Sequence, residues 1–192
     1  MKDDSSVNGR IAQQVRLLRG ERGLSLDALS NQCGVSRSML SLIERGETSP
    51  TAVVLDKLAA GLGVPLASLF DDPVRKDEPV SRHADQVVWQ DPHSGYVRRN
   101  VSPEGFQSPT RIVDVTFPPH ARVTYEAGPR TPAVLQQIWI LEGSMQIVYG
   151  TESWLLEKGD CLVIPLDAPN SFHNPGDVPA RYAVVLTTLG RS

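Results

Sequence analysis

The sequence predicts an α + β multidomain chain, with a helical N-terminal part followed by an all-β C-terminal part. In the first part, apolar residues such as Ile11, Val15 and Leu18 recur at spacings of three and four, the period of an amphipathic helix. Beyond about residue 87, short apolar runs alternate with Gly and Pro turns, as in a sandwich or barrel. Residues 71–86 lie between the two parts. They are charged, contain two prolines and show no period, so they predict a linker.

Composition limits the function classes. The 192 residues are 40% hydrophobic and carry a net charge of −3, which allows one large or two small domains. The two cysteines, Cys33 and Cys161, form no CxxC pair, so neither a disulfide framework nor a zinc ribbon is indicated. The N-terminus is polar and no apolar run has transmembrane length. We therefore expect a cytoplasmic protein with no membrane partner.

Local helix signals define the first part, residues 8–70, in which we expect five helices. Ser25 is placed to cap one helix, Gly34 to form a tight turn, and Ser36 to cap the next helix. Ser49-Pro50 predicts the cap and first turn of a fourth helix, and a short fifth helix is expected to end near Phe70. Two short helices joined by a tight turn, with basic and small polar residues on the exposed half of the second, suit the DNA major groove.

Residues 11–70 resemble the DNA-binding domain of the phage-repressor-like (Cro/CI, XRE-type) helix-turn-helix regulators. Four segments carry the resemblance, namely residues 17–25, 34–46, 49–51 and 55–64. It implies a five-helix lambda-repressor-like domain over residues 8–70, with a recognition helix at about residues 36–45. It also implies a double-stranded DNA operator as partner.

The same resemblance assigns roles to individual residues. It implies contacts to bases or phosphates by Ser25, Ser36, Arg37, Ser38, Ser41, Leu42 and Arg45. Of these, Arg37, Ser38 and Leu42 are the base-facing set and the others contact phosphates. Arg37 is the first choice for a base contact because a guanidinium pairs with O6 and N7 of guanine; Leu42 either touches a thymine methyl or packs internally. Arg19 and Glu44 are expected to form a structural ion pair that orients the recognition helix.

Residues 108–189 resemble a cupin, the small double-stranded β-barrel, within a β domain at 87–190. The matching segments are residues 117–122, 138–150, 156–165 and 170–185. Metal-binding cupins use two His and a Glu from their first motif and a His from their second. Here Gln136 stands at the Glu position and Asn170 at the second-motif His position, and His173 is expected on the opposite face. We therefore expect no metal, no cofactor and no catalytic residue.

The mouth of the expected barrel offers a candidate ligand site, with amide groups beside apolar walls. Its expected lining is Tyr125, Gln136, Ile138, Trp139, Asn170 and Phe172. The sequence thus predicts a sequence-specific transcriptional regulator, a homodimer whose cupin domain senses a small-molecule effector. Two alternatives remain. The barrel is only a dimerisation module whose amides satisfy backbone groups, or it is a metal-dependent enzyme fused to a DNA-binding head.

Overall fold

The computed structural model describes residues 4–72, 78–104, 108–126 and 133–189. Four α-helices form its N-terminal part: α1 (Asp4–Glu21), α2 (Leu26–Cys33), α3 (Arg37–Glu44) and α4 (Ala52–Leu62). The expected fifth α-helix is instead a 3₁₀ helix, Leu66–Phe70. Only five residues lie between Pro65 and Asp71, and Ser68 N donates to the Pro65 carbonyl at 2.9 Å in an i to i−3 bond. So short a segment favours the tighter helix.

Side-chain caps set the helix starts. Ser25 Oγ accepts from Ala28 N at 3.1 Å, and Ser36 Oγ accepts from Met39 N at 3.3 Å. Between them, Gly34 ends α2 at φ 68°, a left-handed conformation that a residue without Cβ adopts cheaply. The predicted cap of α4 was wrong by two residues, because Thr51 and not Ser49 precedes the first turn. Together, the caps fix the turn between α2 and α3.

One apolar core holds the four helices together. Its fully buried side chains come from every helix: Ile11, Val15, Leu29, Leu40, Ile43, Leu55, Leu58 and Leu62. Their spacing at three and four residues places one stripe of each helix inside. The opposite stripe of α3 stays on the surface.

Ten strands form the C-terminal part of the described chain. They are β1 (Val88–Gln90), β2 (Val97–Asn100), β3 (Thr110–Phe117), β4 (Arg122–Tyr125), β5 (Val134–Glu142), β6 (Ser144–Tyr149), β7 (Glu152–Glu157), β8 (Cys161–Pro165), β9 (Asn170–His173) and β10 (Ala180–Thr188). One antiparallel sheet has the order β1-β2-β3-β10-β5-β8, and a second has the order β4-β9-β6-β7. The apolar runs of the sequence predict eight of these strands, at residues 87–89, 96–101, 110–117, 135–141, 144–149, 152–156, 161–164 and 182–189. They miss β4 and β9, which are only four residues long.

The expected closed barrel appears as two separate antiparallel sheets, since no strand pairing in the described ranges joins them. Their apolar faces share a core that includes Val113, Phe117, Ile138, Met145 and Ile147. The architecture is therefore helical at the N-terminus and all-β with two sheets at the C-terminus. No helix in the described ranges is both long and apolar enough to cross a membrane.

Direct contacts join the helical part to the β part. The buried carboxylate of Asp91, in the turn between β1 and β2, accepts from Ala52 N at 2.8 Å and so holds the first turn of α4. Asn100 Nδ2 on β2 donates to the carbonyl of Ala67 in the 3₁₀ helix at 3.2 Å. Phe70 packs on Trp89 with ring centroids 5.8 Å apart. We call this set of contacts the domain seam.

Two ion pairs lie along the same seam. Arg10 Nη1 is 3.0 Å from Glu104 Oε1, and Arg111 Nη2 is 3.1 Å from Asp71 Oδ2. Burial raises the pKa of the Asp71 carboxyl to about 6, and the nearby Glu104 adds to the rise while Arg111 opposes it. The seam therefore contains a group that titrates near neutral pH.

Candidate functional site

The N-terminal half of α3 forms an exposed polar surface. Ser36, Arg37 and Ser38 are exposed, while Leu40 and Ile43 on the other side of the helix are buried. Ser36 Oγ and Ser38 Oγ are 3.2 Å apart. A helix with exposed polar side chains at its N-terminal end and an apolar rear face can enter a major groove end-first.

Arg37 at the start of α3 and Arg45 just beyond its end are both held by neighbouring carboxylates. Arg37 Nε lies 3.1 Å from Asp27 Oδ1, with side chains 65% and 71% exposed. Arg45 Nε lies 2.7 Å from Glu47 Oε1, and its Nη1 donates to Ser41 Oγ at 2.7 Å. Exposed ion pairs contribute on the order of 1 kcal/mol or less. DNA phosphates and bases can therefore replace these partners at small cost.

The other residues expected at the DNA surface have mixed positions. The Ser25 side chain is exposed but already caps α2. Leu42 is half-buried, and its carbonyl accepts from Glu47 N at 3.0 Å as the helix ends. Leu42 is thus partly accessible, and both roles considered for it stay open.

A buried ion pair supports α3 from behind. Arg19 Nε and Nη2 donate to Glu44 Oε1 and Oε2 at 2.6 and 2.8 Å, and Arg19 Nη1 donates to the carbonyl of Leu24 at 2.8 Å. Hydrogen bonding to Glu44 raises the pKa of the Arg19 guanidinium. The side chain of Glu44 is 6% exposed, so the fork geometry fixes α3 against α1.

A second candidate site is a cleft between the helical part and the sheets, with a cavity volume of about 60 Å³. Both parts of the chain line it: Asp56, Pro65 and Leu66 from the helical part, and Tyr96, Arg98, Val115, Tyr125, Val134, Gln136, Leu166, Asn170, Phe172, Tyr182, Val184 and Leu186 from the β part. We call it the seam cleft.

Tyrosines dominate the polar lining of the seam cleft. Tyr96 Oη and Tyr125 Oη are 3.3 Å apart, and Phe172 lies between Tyr125 and Tyr182 with ring centroids about 6 Å from each. Burial raises the pKa of all three tyrosines, so their hydroxyls stay neutral in the physiological range. The cleft thus presents neutral hydroxyl and amide groups among apolar walls, together with the charged side chains of Asp56 and Arg98.

Four of the six residues expected in the ligand site line this cleft: Tyr125, Gln136, Asn170 and Phe172. The other two placements were wrong. Ile138 is fully buried in the core, and Trp139 is 51% exposed on the outer face of β5. Side chains alternate along a strand, so Trp139 cannot share the inner face of Gln136 and Ile138.

Sequence reasoning missed Arg98 and the helical side of the cleft. Arg98 follows Tyr96 by two residues and shares its face, so its inward position could be read only once Tyr96 was known to be buried. Nothing local marks Asp56 or Leu66 as cleft residues, because residues far away in the sequence form the opposite wall.

The histidines near the second motif have other partners. His173 Nδ1 is 3.2 Å from Gln146 Oε1, and the exposed His120 Nε2 is 3.1 Å from Asp177 Oδ1. Burial and the nearby Arg122 lower the pKa of His173. In the described ranges, no three His, Cys, Asp or Glu residues group where a metal ion would need them.

Comparisons with known proteins agree with this two-part architecture. A helix-turn-helix family (HTH_3) matches residues 15–69, and a cupin domain family (Cupin_2) matches residues 113–186. The HTH-type transcriptional regulator SutR of Escherichia coli is 26% identical over 172 residues, covering 90% of this chain and 91% of SutR. PuuR, an HTH-type regulator from the same organism, is 25% identical over 181 residues and 91% of both chains.

A solved structure shows the same overall fold. The HTH_3 family transcriptional regulator from Vibrio cholerae is 27% identical and superposes with a TM-score of 0.79, covering 98% of this chain and all of that one. The exposed face of α3 and the two-part fold define a DNA-binding regulator. The chain therefore has an XRE-type helix-turn-helix domain followed by a C-terminal cupin domain, and its full-length relatives are HTH-type transcriptional regulators.

Proposed function

We propose that this regulator reads a two-half-site operator as a homodimer, acts in the bacterial cytoplasm, and binds a small-molecule effector in the seam cleft. The carrying observation is that α3 exposes Arg37 and Ser38 while the buried pair of Arg19 and Glu44 fixes its rear face. In this assignment Arg37, Ser38 and Leu42 face bases. Phosphates contact the remaining set: Ser25, Ser36, Ser41 and Arg45.

Replacement of Arg37 tests the DNA-reading role. We expect Arg37→Ala to weaken binding to the selected operator by about 1–3 kcal/mol and to change binding to random DNA much less. Arg122→Ala removes the same charge from an exposed position on β4 and serves as the matched control. Equal losses on operator and random DNA in the Arg37 variant would show that Arg37 contacts phosphate only.

The outer face of the larger sheet supports the dimer. Across strands β3, β10, β5 and β8, one row contains Ile112, Val185, Gln137 and Val163, and Trp139 lies in the next row. Ile112, Trp139 and Val163 are 41%, 51% and 57% exposed. An apolar patch of this kind marks an interaction surface, and operators with two half-sites match two-fold dimers.

Sedimentation velocity tests this interface. We expect Trp139→Lys to convert the dimer to a monomer without loss of helical or sheet signal. Leu155→Lys, which changes an equally exposed apolar residue on β7 of the other sheet, should leave the dimer intact. If the Trp139→Lys variant remains a dimer, the outer face of the larger sheet is not the dimer interface.

The effector role rests on the composition of the seam cleft. Its neutral tyrosines and the amides of Gln136 and Asn170 are hydrogen-bonding groups, and the proposal assigns them no catalytic step. Screening of small metabolites by thermal shift, combined with operator binding, tests the role. A ligand that raises the melting temperature and changes operator affinity supports sensing. If no compound does either, the cleft is only structural and the β part serves dimerisation.

A further inference from the structure

Arg98 on β2 is the one residue of the seam cleft with a buried side-chain donor that lacks a hydrogen-bond acceptor among the described residues. The side chain is 9% exposed and lines the cleft. Its Nε donates to Asn100 Oδ1 at 3.4 Å, and its guanidinium carbon lies 5.7 Å from the centre of the Phe70 ring. Its Nη2 is buried and has no hydrogen-bond acceptor among the described residues. A buried guanidinium N–H without an acceptor is costly, because a charged group loses its hydration there.

We propose that the seam cleft binds a small organic monocarboxylate, whose carboxylate accepts from Arg98 Nη2. This inference rests on the proposed effector role and names the chemical class of the effector. A carboxylate supplies the missing acceptor, and its planar oxygens match the guanidinium fork.

The rest of the lining fits a ligand that has one negative charge and an apolar body. The hydroxyls of Tyr96, Tyr125 and Tyr182 are neutral and do not compete with a carboxylate for Arg98. Among the described lining residues, Arg98 is the one cation, which matches a single carboxylate on the ligand, and Asp56 also lies on the helical wall. Aliphatic side chains such as Val184 and Leu186 cover the remaining wall.

Arg98 also links the ligand site to the DNA-binding part. Its guanidinium stacks on Phe70 in the 3₁₀ helix, and its partner Asn100 donates to the carbonyl of Ala67 in the same helix. Leu66, the first residue of that helix, lines the cleft directly. A carboxylate that pairs with Arg98 therefore acts on a side chain that touches both parts of the chain.

Butanoate and its neutral isostere butanamide are suitable probes, titrated into the full-length protein by isothermal calorimetry and thermal shift. We expect butanoate to bind and raise the melting temperature, and butanamide to bind at least tenfold more weakly. Arg98→Met keeps an apolar stem and should lose at least tenfold in butanoate affinity, while Arg98→Lys should recover part of it. Arg99→Met, a change at the adjacent residue on the opposite strand face, is the matched control and should bind as the wild type does.

Equal binding of butanoate and butanamide would overturn the proposal, as would wild-type butanoate affinity in Arg98→Met. If Arg98→Met does not fold, the comparison of butanoate with butanamide in the wild-type protein still tests the carboxylate proposal. Operator binding and the wider metabolite screen are measured on the same preparations. If neutral or cationic compounds alone stabilise the protein, the carboxylate proposal fails while the effector role stands. If no compound binds, both fail and operator binding is unaffected.

Discussion

The buried pair of Arg19 and Glu44 gives a quantitative prediction for the helical part. We consider Arg19→Met, which keeps the apolar stem of the side chain and removes the guanidinium. The change leaves the Glu44 carboxylate, 6% exposed, without its two short hydrogen bonds at 2.6 and 2.8 Å. Among the described residues, Arg16, 63% exposed and 4.0 Å away, is the cation that remains beside Glu44. Breaking a buried pair from one side costs about 3–5 kcal/mol.

We expect a loss near the lower end of that range, about 3 kcal/mol, because Arg19 itself is 20% exposed and Arg16 offers partial compensation. The double variant Arg19→Met/Glu44→Met removes both charges and should lie within about 1 kcal/mol of the wild type. Urea denaturation followed by the far-ultraviolet circular dichroism of the helices measures both.

The reasoning is refuted if the double variant loses as much unfolding free energy as Arg19→Met and Glu44→Met lose in sum. The two side chains would then contribute to stability independently. A loss below about 1 kcal/mol in Arg19→Met alone would also refute it, because the pair would behave like an exposed one. Operator binding by the double variant adds a functional reading. If stability returns but operator affinity does not, the pair serves to orient α3.

Three further predictions concern the DNA surface and the domain seam. Asp27→Ala should raise operator affinity several-fold in fluorescence anisotropy, because it frees Arg37 and removes a negative charge near phosphates; an unchanged affinity would contradict this. Asp91→Ala should lower unfolding free energy by about 1–3 kcal/mol in calorimetry, because Ala52 N loses its buried acceptor, and Asp91→Asn should lose less. The raised pKa of Asp71, about 6 against 3.8, means that the folded state binds the proton more tightly, so this group's contribution to stability falls as pH rises from about 4 to 6. Relative to Asp71→Asn, the wild type should lose up to about 3 kcal/mol across that window and no more above it, and a pH-independent difference would contradict the assignment.

The helix-turn-helix could be predicted from sequence because its signals are local. Ser25, Gly34 and Ser36 each act on residues no more than four positions away, and the structure shows all three at helix ends. Apolar spacing likewise identified the buried face of α1, where Ile11 and Val15 are fully buried. The 3₁₀ helix Leu66–Phe70 escaped because helix type in so short a segment depends on packing, and propensity alone does not decide it.

The cleft was predictable only in part, because strand parity and long-range contacts decide it. Gln136 and Asn170 were identified by their motif positions, and both line the cleft. Trp139 was misplaced although it lies three residues from Gln136, an odd step that puts it on the opposite face. Arg98 and Asp56 are brought together by the docking of two separately encoded parts, and no local pattern encodes that docking.

The energy scale of the domain seam bears on how the cleft would control DNA binding. An effector can shift an equilibrium only by its difference in affinity between two docking arrangements. A tenfold difference corresponds to about 1.4 kcal/mol, which is the scale of one buried hydrogen bond such as that from Ala52 N to Asp91. Because α4, which Asp91 holds at its first turn, packs against α2 of the helix-turn-helix, gain or loss of a single seam contact has the size required to alter the position of α3. Under the proposed effector role, regulation by the cleft would therefore need no large rearrangement, only a ligand that favours one arrangement of the seam.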